Sequence, residues 1–241
     1  LHPLPNAGDA FVIFPAWTLD TLFAPGAGET QIAESLNFLG VNRGTEILFL
    51  QPRAAGINRS ASAVFYRESL GWRSTANTTS EQGGFVIDPD VVLVVRGAGS
   101  QVHGATWVTV AGTMDAAEAA IATTIIGDAS FSRDNTIGFQ CPVPMPLASL
   151  GLVDSGAFQG SANVLGIARK DELLLFDNQT IGLNKSAARV YFYDLSAGLW
   201  KNAANPAADA GQDLVPAGAG LILRKASGHE GSYYWTFPGA F

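Results

Sequence analysis

The chain has 241 residues, of which 47% are hydrophobic and 15% are charged, and its formal net charge is -7. This length and hydrophobic content suit one large or two ordinary folded domains and exclude a disordered chain. No cluster of Lys and Arg is visible, which excludes a nucleic-acid surface and disfavours an anionic membrane, and no apolar stretch is long enough to insert into a bilayer.

The first predicted elements follow a polar segment. Residues 1–10 predict a linker or arm, and the apolar run 10–15, rich in β-branched and aromatic residues, predicts a buried strand. Thr18 is the predicted N-cap of a short helical turn. The apolar spacing in residues 30–39 allows a short helix or an edge strand.

A first β-rich unit is predicted over residues 11–112. Its short apolar runs are separated by Gly-, Asn- and Ser-rich turns, which is typical of antiparallel β-structure. Its later strands are predicted at residues 46–50, 61–66, 71–73, 85–87, 91–96 and 105–110.

Residues 113–136 are predicted to connect two such units. The alanines of residues 114–124 favour a helix, but the β-branched residues on either side favour strands, and we expect strand pairing here. The second unit is predicted over residues 137–241. Its strands are expected at residues 137–141, 173–176, 187–193, 198–201, 221–225 and 232–237.

The second unit repeats the sequence of the first. The six residues from Gly56 to Ala61 return, with conservative changes, as those from Gly182 to Ala187, which is an offset of 126. After a two-residue insertion Trp72 meets Trp200. A repeat of this length indicates a duplicated supersecondary unit. The sequence therefore predicts an all-β fold of two tandem duplicated β-sandwich or small β-barrel units with short helical turns.

The duplicated turn is the first candidate site. Its shared residues are Gly, Asn, a basic residue and Ser, namely Gly56, Asn58, Arg59 and Ser60, repeated as Gly182, Asn184, Lys185 and Ser186. One interpretation is a contact for a small anion or a sugar. The favoured one is turn chemistry, because Gly and Asn tolerate positive φ and both units need the same turn.

Repeated aromatic residues are the second candidate. Tyr66, Trp72 and Trp107 correspond by position to Phe192, Trp200 and Trp235. Exposed, they could stack on sugar rings, with Trp72 or Trp200 as the platform; buried, they would pack across strands, which is the favoured interpretation.

Acidic side chains supply no convincing reaction centre. Asp88 and Asp90 flank a proline, and Asp171 adjoins Glu172, but the favoured interpretation of all four is that of solvated loop acids.

The histidines and the cysteine are also weak candidates. His2, His103 and His229 have no second ligand at metal-binding spacing, and Cys141 is predicted to be a buried apolar residue. No catalytic, cofactor-binding or metal-binding residue is assigned.

Four segments resemble an uncharacterised family of secreted, β-rich proteins of Verrucomicrobia-type bacteria. They are residues 10–19, 55–62, 182–188 and 221–225. The resemblance implies export and a β-rich fold and carries no catalytic residue. Family members typically have an export signal and a further stretch before the Trp-Thr-Leu region, so this chain is expected to be a trimmed product.

The combination of low charge, duplicated β-units and no catalytic cluster predicts a non-enzymatic extracellular or cell-surface structural protein. It would be a subunit of a filament, sheath or surface assembly that associates with its own copies, with residues 1–9 as a strand-donating arm. The alternative is a carbohydrate-binding module that uses exposed aromatics. No cofactor, nucleic acid or membrane insertion is expected.

Overall fold

The computed structural model describes residues 16–24, 32–36, 43–50, 55–88, 91–97, 121–139, 141–162, 169–179, 182 and 184–237. Within them the chain forms fifteen strands, one α-helix and one 3-10 helix. The predicted all-β fold is confirmed, and none of the described sheets closes into a barrel.

The elements are short and lie close together along the chain. The helical elements are α1 at Leu19–Leu22 and a 3-10 helix at Leu147–Leu150. The strands are β1 Trp17–Thr18, β2 Glu46–Leu50, β3 Ala63–Glu68, β4 Gly71–Ser74, β5 Val86–Ile87, β6 Val92–Arg96, β7 Ile121–Gly127, β8 Arg133–Gly138, β9 Met145–Pro146, β10 Glu172–Leu175, β11 Arg189–Asp194, β12 Leu199–Asn202, β13 Leu214–Val215, β14 Gly220–Lys225 and β15 Gly231–Phe237.

Two larger antiparallel sheets organise the described residues. The first has the strand order β4-β3-β2-β6, and the second has the order β12-β11-β10-β14-β8. Three two-stranded ribbons accompany them: β1 with β5, β9 with β13, and β7 with β15. Burial alternates along β14, so that Leu221, Leu223 and Lys225 lie on its covered face.

The two sheets share one strand order when β2 and β3 are offset by 126 residues and the other matched segments by 128. On this offset β2, β3, β4 and β6 correspond to β10, β11, β12 and β14. Hydrogen bonds correspond as well: Leu19 N–H donates to Phe85 O at 3.3 Å, and Leu147 N–H donates to Asp213 O at 2.9 Å. The duplication itself stays a prediction, whereas the matching strand order is a property of the structure.

Buried apolar side chains of the described residues fall into two clusters. One lies within residues 19–87 and includes Phe49 and Phe65, whose rings meet edge to face with centroids 5.3 Å apart. The other lies within residues 125–235. Each large sheet therefore has its own core, and burial of such rings is the main stabilising contribution to each.

The predicted N-cap at Thr18 is confirmed. Its Oγ1 accepts a hydrogen bond from Thr21 N–H at 3.3 Å, and Thr21 Oγ1 accepts from Thr18 N–H at 2.7 Å, which is a reciprocal capping arrangement. The corresponding 3-10 helix begins after Pro146, which has no capping side chain, and ends at Gly151 with φ 64°.

Residues 32–36 form neither the helix nor the edge strand that the sequence allowed for residues 30–39; the other residues of that segment lie outside the described part. Side-chain and backbone groups both bond this segment without a ladder: Thr45 Oγ1 accepts from Ala33 N–H at 3.0 Å, Ser35 Oγ accepts from Gly44 N–H at 2.9 Å, and Ser35 N–H donates to Arg67 O at 2.7 Å.

The strand pairing expected around residues 113–136 is confirmed where the structure describes it. β7 pairs along its whole length with β15, from Ile121 opposite Phe237 to Gly127 opposite Gly231. Residues 113–120 lie outside the described part, as do the predicted arm 1–10, the strand at residues 10–15 and that at residues 105–110.

Candidate functional site

A pocket opens beside the second sheet, at the hairpin of β11 and β12. Its volume is about 180 Å³. The side chains that give it chemical character are two carboxylates, an amide and two aromatic rings, namely Asp154, Asp209, Gln212, Tyr193 and Trp200.

The hairpin fixes the aromatic wall of the pocket. Tyr193 and Trp200 lie opposite each other in the ladder of β11 and β12, and their rings meet edge to face with centroids 5.5 Å apart. Phe158 packs against Trp200 at 4.8 Å. These contacts hold the rings in one geometry without help from a ligand.

The opposite wall comes from the 3-10 helix and the loop before β13. Ala148 and Gly151 line the pocket, and Asp209 Oδ1 accepts a hydrogen bond from Gly211 N–H at 2.9 Å, which shapes that loop. Gly151 has φ 64°, a left-handed conformation that glycine adopts without strain.

The corresponding place in the first sheet has bulkier residues. At the offset of 128, Phe23 stands where the second sheet has Gly151, and Asp20 stands where it has Ala148. The Phe23 ring packs on Trp72, the counterpart of Trp200, with centroids 5.8 Å apart. In the second sheet Gly151 has no side chain at this position, and Phe158 packs on Trp200 instead.

The pocket offers hydrogen-bond donors and acceptors together. Its carboxylates accept, and the Gln212 amide both donates and accepts. Among the described residues no group hydrogen-bonds the Tyr193 hydroxyl or the Trp200 indole N–H. No Lys, Arg or His lies among the lining residues, so their formal charge is negative.

Asp194 holds the turn that connects the two strands of the pocket hairpin. Its buried carboxylate accepts from Ser196 Oγ at 2.7 Å and from the backbone N–H groups of Ser196 and Ala197 at 2.9 and 3.3 Å. The Ser196 hydroxyl, more than the backbone donors, lowers the pKa of Asp194 below its ordinary 3.8.

This lowered pKa predicts a pH dependence of folding. Because the folded state favours the ionised carboxylate, its stabilisation is complete above pH 3.8 and is lost as the pH falls through the lowered pKa. Asp194→Asn should therefore destabilise the protein at neutral pH and shrink its difference from the parent below pH 3.8. Urea unfolding between pH 2.5 and 7 measures this, and a difference independent of pH would contradict it.

The duplicated turns are inter-sheet contacts. Asn58 and Asn184 have φ 50° and 49°, so the turn-chemistry interpretation is confirmed. Asn58 N–H donates to Asp134 Oδ2 at 2.8 Å, and Arg59 Nη2 donates to Asp134 O at 2.8 Å. Asn58 and Arg59 of the first turn therefore bind β8 of the second sheet, whereas Lys185 of the second turn donates to Asp177 O.

Arg224 completes this inter-sheet cluster. It donates from Nε to Asp134 Oδ1 at 2.7 Å and from Nη2 to Asn58 Oδ1 at 2.9 Å. The hydrogen bond to Asp134 raises the pKa of Arg224, so the guanidinium stays charged. The second turn makes a reciprocal but longer contact, from Arg96 Nη2 to Asn184 Oδ1 at 3.5 Å.

The interpretation of the acidic residues as solvated loop acids is wrong for Asp171. Its side chain is fully buried and ion-paired with Lys225, which is also fully buried. Glu172 pairs with Arg169 and lies 4.0 Å from Arg224. Asp88 is exposed, and Asp90 lies outside the described residues.

The repeated aromatics are core residues, as favoured from the sequence. The buried set consists of Tyr66, Trp72, Phe192, Trp200 and Trp235. Trp107 lies outside the described part. Trp72 and Trp200 are only 1% and 5% exposed, so a flat stacking platform at these residues is wrong, although Trp200 borders the pocket.

Cys141 is buried, as predicted, and its Sγ donates to Val143 O at 3.0 Å. His229 Nδ1 lies 2.8 Å from the Tyr233 hydroxyl, while His2 and His103 lie outside the described residues. Across the described ranges no group of three or more His, Cys, Asp or Glu side chains could hold a metal ion.

The pocket combines elements that the sequence did not connect. Trp200 was a candidate, but Tyr193, Asp154, Asp209 and Gln212 were not. The register of the hairpin could have identified Tyr193, because pairing β11 with β12 places Tyr193 beside Trp200.

Comparisons with known proteins place the chain in no established group. No family model, no curated protein and no solved structure matches it. In the described part of the chain, no helix has the length and apolar character to cross a membrane.

Proposed function

We propose that the protein is an extracellular or cell-surface structural protein, a non-enzymatic subunit of a filament, sheath or surface assembly that associates with its own copies. The observation that carries the proposal is the outer edge of β6. Within the described residues β6 pairs in a ladder with β2 alone, whereas its counterpart β14 has β10 on one side and β8 on the other, and β6 also lies close to β8 and β14 of the second sheet.

The β6 edge is suited to strand addition. Val94 and Val95 on this strand are 40% and 38% exposed, which leaves apolar surface on both faces of the edge. An edge strand carries unpaired backbone donors and acceptors that another strand can satisfy. Few charged residues are present to oppose such contacts, since they make up 15% of the chain.

The proposed occupant of this edge is the arm of a second copy. At the offset of 128 the counterpart of β8 is residues 5–10, which fall within the predicted arm. An arm added to β6 of a neighbour would join copies head to tail, and a heterologous contact of this kind builds fibres when it does not close. Export to the cell surface is proposed from the family resemblance.

Blocking the edge is expected to stop assembly. Val94→Lys with Val95→Lys places two charges where the arm would pair, and deleting residues 1–9 removes the arm; each should weaken association by at least about tenfold. Light scattering over a concentration series and negative-stain imaging measure this.

Leu70→Lys with Phe131→Lys is the matched control, because both residues are exposed, neither lies on β6, and the same two charges are added. A parent protein that stays monomeric at high concentration would contradict the proposal. If the control variant weakens association equally, the contact between copies lies away from β6.

The alternative, carbohydrate binding, keeps one specific observation in its favour. The flat platform at Trp72 or Trp200 is absent, but the pocket beside Trp200 supplies a small polar site.

A further inference from the structure

We propose that the pocket beside Trp200 binds one neutral sugar residue through its ring hydroxyls. The inference is independent of self-association, because it rests on the β11–β12 hairpin and the loops opposite it and not on the β6 edge.

The volume of the pocket restricts the size of the ligand. Pockets for drug-sized ligands are typically about 300–1,000 Å³. The volume here is about 180 Å³, which suits a single ring and not an extended chain. A terminal residue of a glycan, or a free monosaccharide, meets this limit.

The polar groups of the pocket favour a ligand that both donates and accepts hydrogen bonds. A sugar hydroxyl donates one hydrogen bond and accepts others, so its recognition needs both kinds of partner. Asp154 and Asp209 supply acceptors, Gln212 supplies both kinds, and the Tyr193 hydroxyl adds a donor that no described residue uses. An organic cation would use acceptors alone and would leave these donors without partners.

The aromatic wall of the pocket favours a ligand that has an apolar face. Tyr193 is half-buried and lines the pocket, while Trp200 is almost fully buried. A sugar ring presents C–H groups to an aromatic side chain and its hydroxyls to the polar groups around it. The alternation of apolar ring and polar side chains in this pocket fits that ligand.

The counterpart in the first sheet supplies the comparison within the same chain. There Phe23 is buried against Trp72 at the position of Gly151. In the second sheet Gly151 has no side chain there, and a bulky residue among the small lining residues should close the opening. Gly151 itself is unsuited to this test because of its positive φ, but Ala148 is exposed and lines the pocket.

The test uses the full chain and the methyl glycosides of glucose, galactose, mannose and N-acetylglucosamine as probes. Saturation-transfer NMR and intrinsic tryptophan fluorescence measure binding, and methylammonium chloride is the cationic comparison. We expect saturable binding of at least one glycoside at millimolar concentration and no competition from methylammonium.

Two variants test whether the glycoside binds in this pocket. Asp154→Asn removes one charged acceptor at an exposed position, and Ala148→Phe fills the opening; each should weaken binding by about tenfold or more. Asp88→Asn is the matched control, because Asp88 is an exposed acid outside the pocket, and it should bind as the parent does. Thermal unfolding checks that each variant is folded.

Three outcomes would overturn the proposal: no binding of any glycoside, binding of methylammonium in their place, or glycoside binding that Ala148→Phe leaves unchanged. None of these outcomes changes the expectation for the β6 edge, which is measured by particle size and not by ligand binding.

Discussion

Lys225→Ala is expected to destabilise the protein by about 3–5 kcal/mol, because it leaves the Asp171 carboxylate buried without its cation. Both side chains have zero exposure. The Lys225 ammonium also donates to Ala157 O at 3.0 Å and lies 4.7 Å from the centre of the Tyr233 ring. The loss should appear as a lower urea midpoint, read by tryptophan fluorescence.

A double substitution distinguishes an unpaired charge from a simple cavity. At the repeat offsets the first sheet has Thr45 at the position of Asp171 and Gly97 at that of Lys225, so neither charge is present there. Thr45 Oγ1 accepts from Ala33 N–H as Asp171 Oδ2 accepts from Gln159 N–H, at 3.0 and 2.7 Å. A threonine at position 171 can therefore keep that hydrogen bond.

Asp171→Thr combined with Lys225→Met should recover most of the stability lost in Lys225→Ala, since an apolar side chain of similar length replaces the lysine. Lys225→Met alone, with Asp171 retained, is the control and should remain strongly destabilised. If the double variant is no more stable than this control, the cost comes from packing around position 225 and not from the buried charge.

The sequence similarity between the two predicted units indicated that their strands would correspond, although it did not predict the order of the strands in either sheet. The positions of the repeated tryptophans as core residues followed in the same way. What the repeat could not predict is where the two units differ. Asp171 was interpreted as a solvated acid because its partner, Lys225, is distant in sequence and has no counterpart in the first unit.

The pocket was hidden for a related reason. Ala148 and Gly151 line it, and small residues carry no distinctive signal in a single sequence. The inter-sheet cluster was equally invisible, because turn chemistry explains Asn58 and Arg59 completely at the local level. Only the fold shows that Asp134 stands opposite them.

The contacts of Asp134 predict that the stability of the first sheet depends on the second. Its carboxylate is buried and accepts from Asn58 and Arg224, while its own N–H donates to Gly56 O at 3.0 Å. Asp134→Ala removes the acceptor and leaves the Arg224 guanidinium and the Asn58 N–H without it. Because Arg224 keeps 21% side-chain exposure, water offsets part of this loss, and we expect a cost of about 2–3 kcal/mol.

The reciprocal contact provides the internal control for this prediction. The bond from Arg96 to Asn184 is long, at 3.5 Å, and exposed, so Asn184→Gly should cost under about 1 kcal/mol while still allowing the positive φ of that position. Hydrogen exchange on β2 and β3 gives the second measurement. If the cluster couples the two cores, Asp134→Ala will speed exchange in the first sheet as well as in β8, whereas acceleration confined to β8 would show that each sheet is stable on its own.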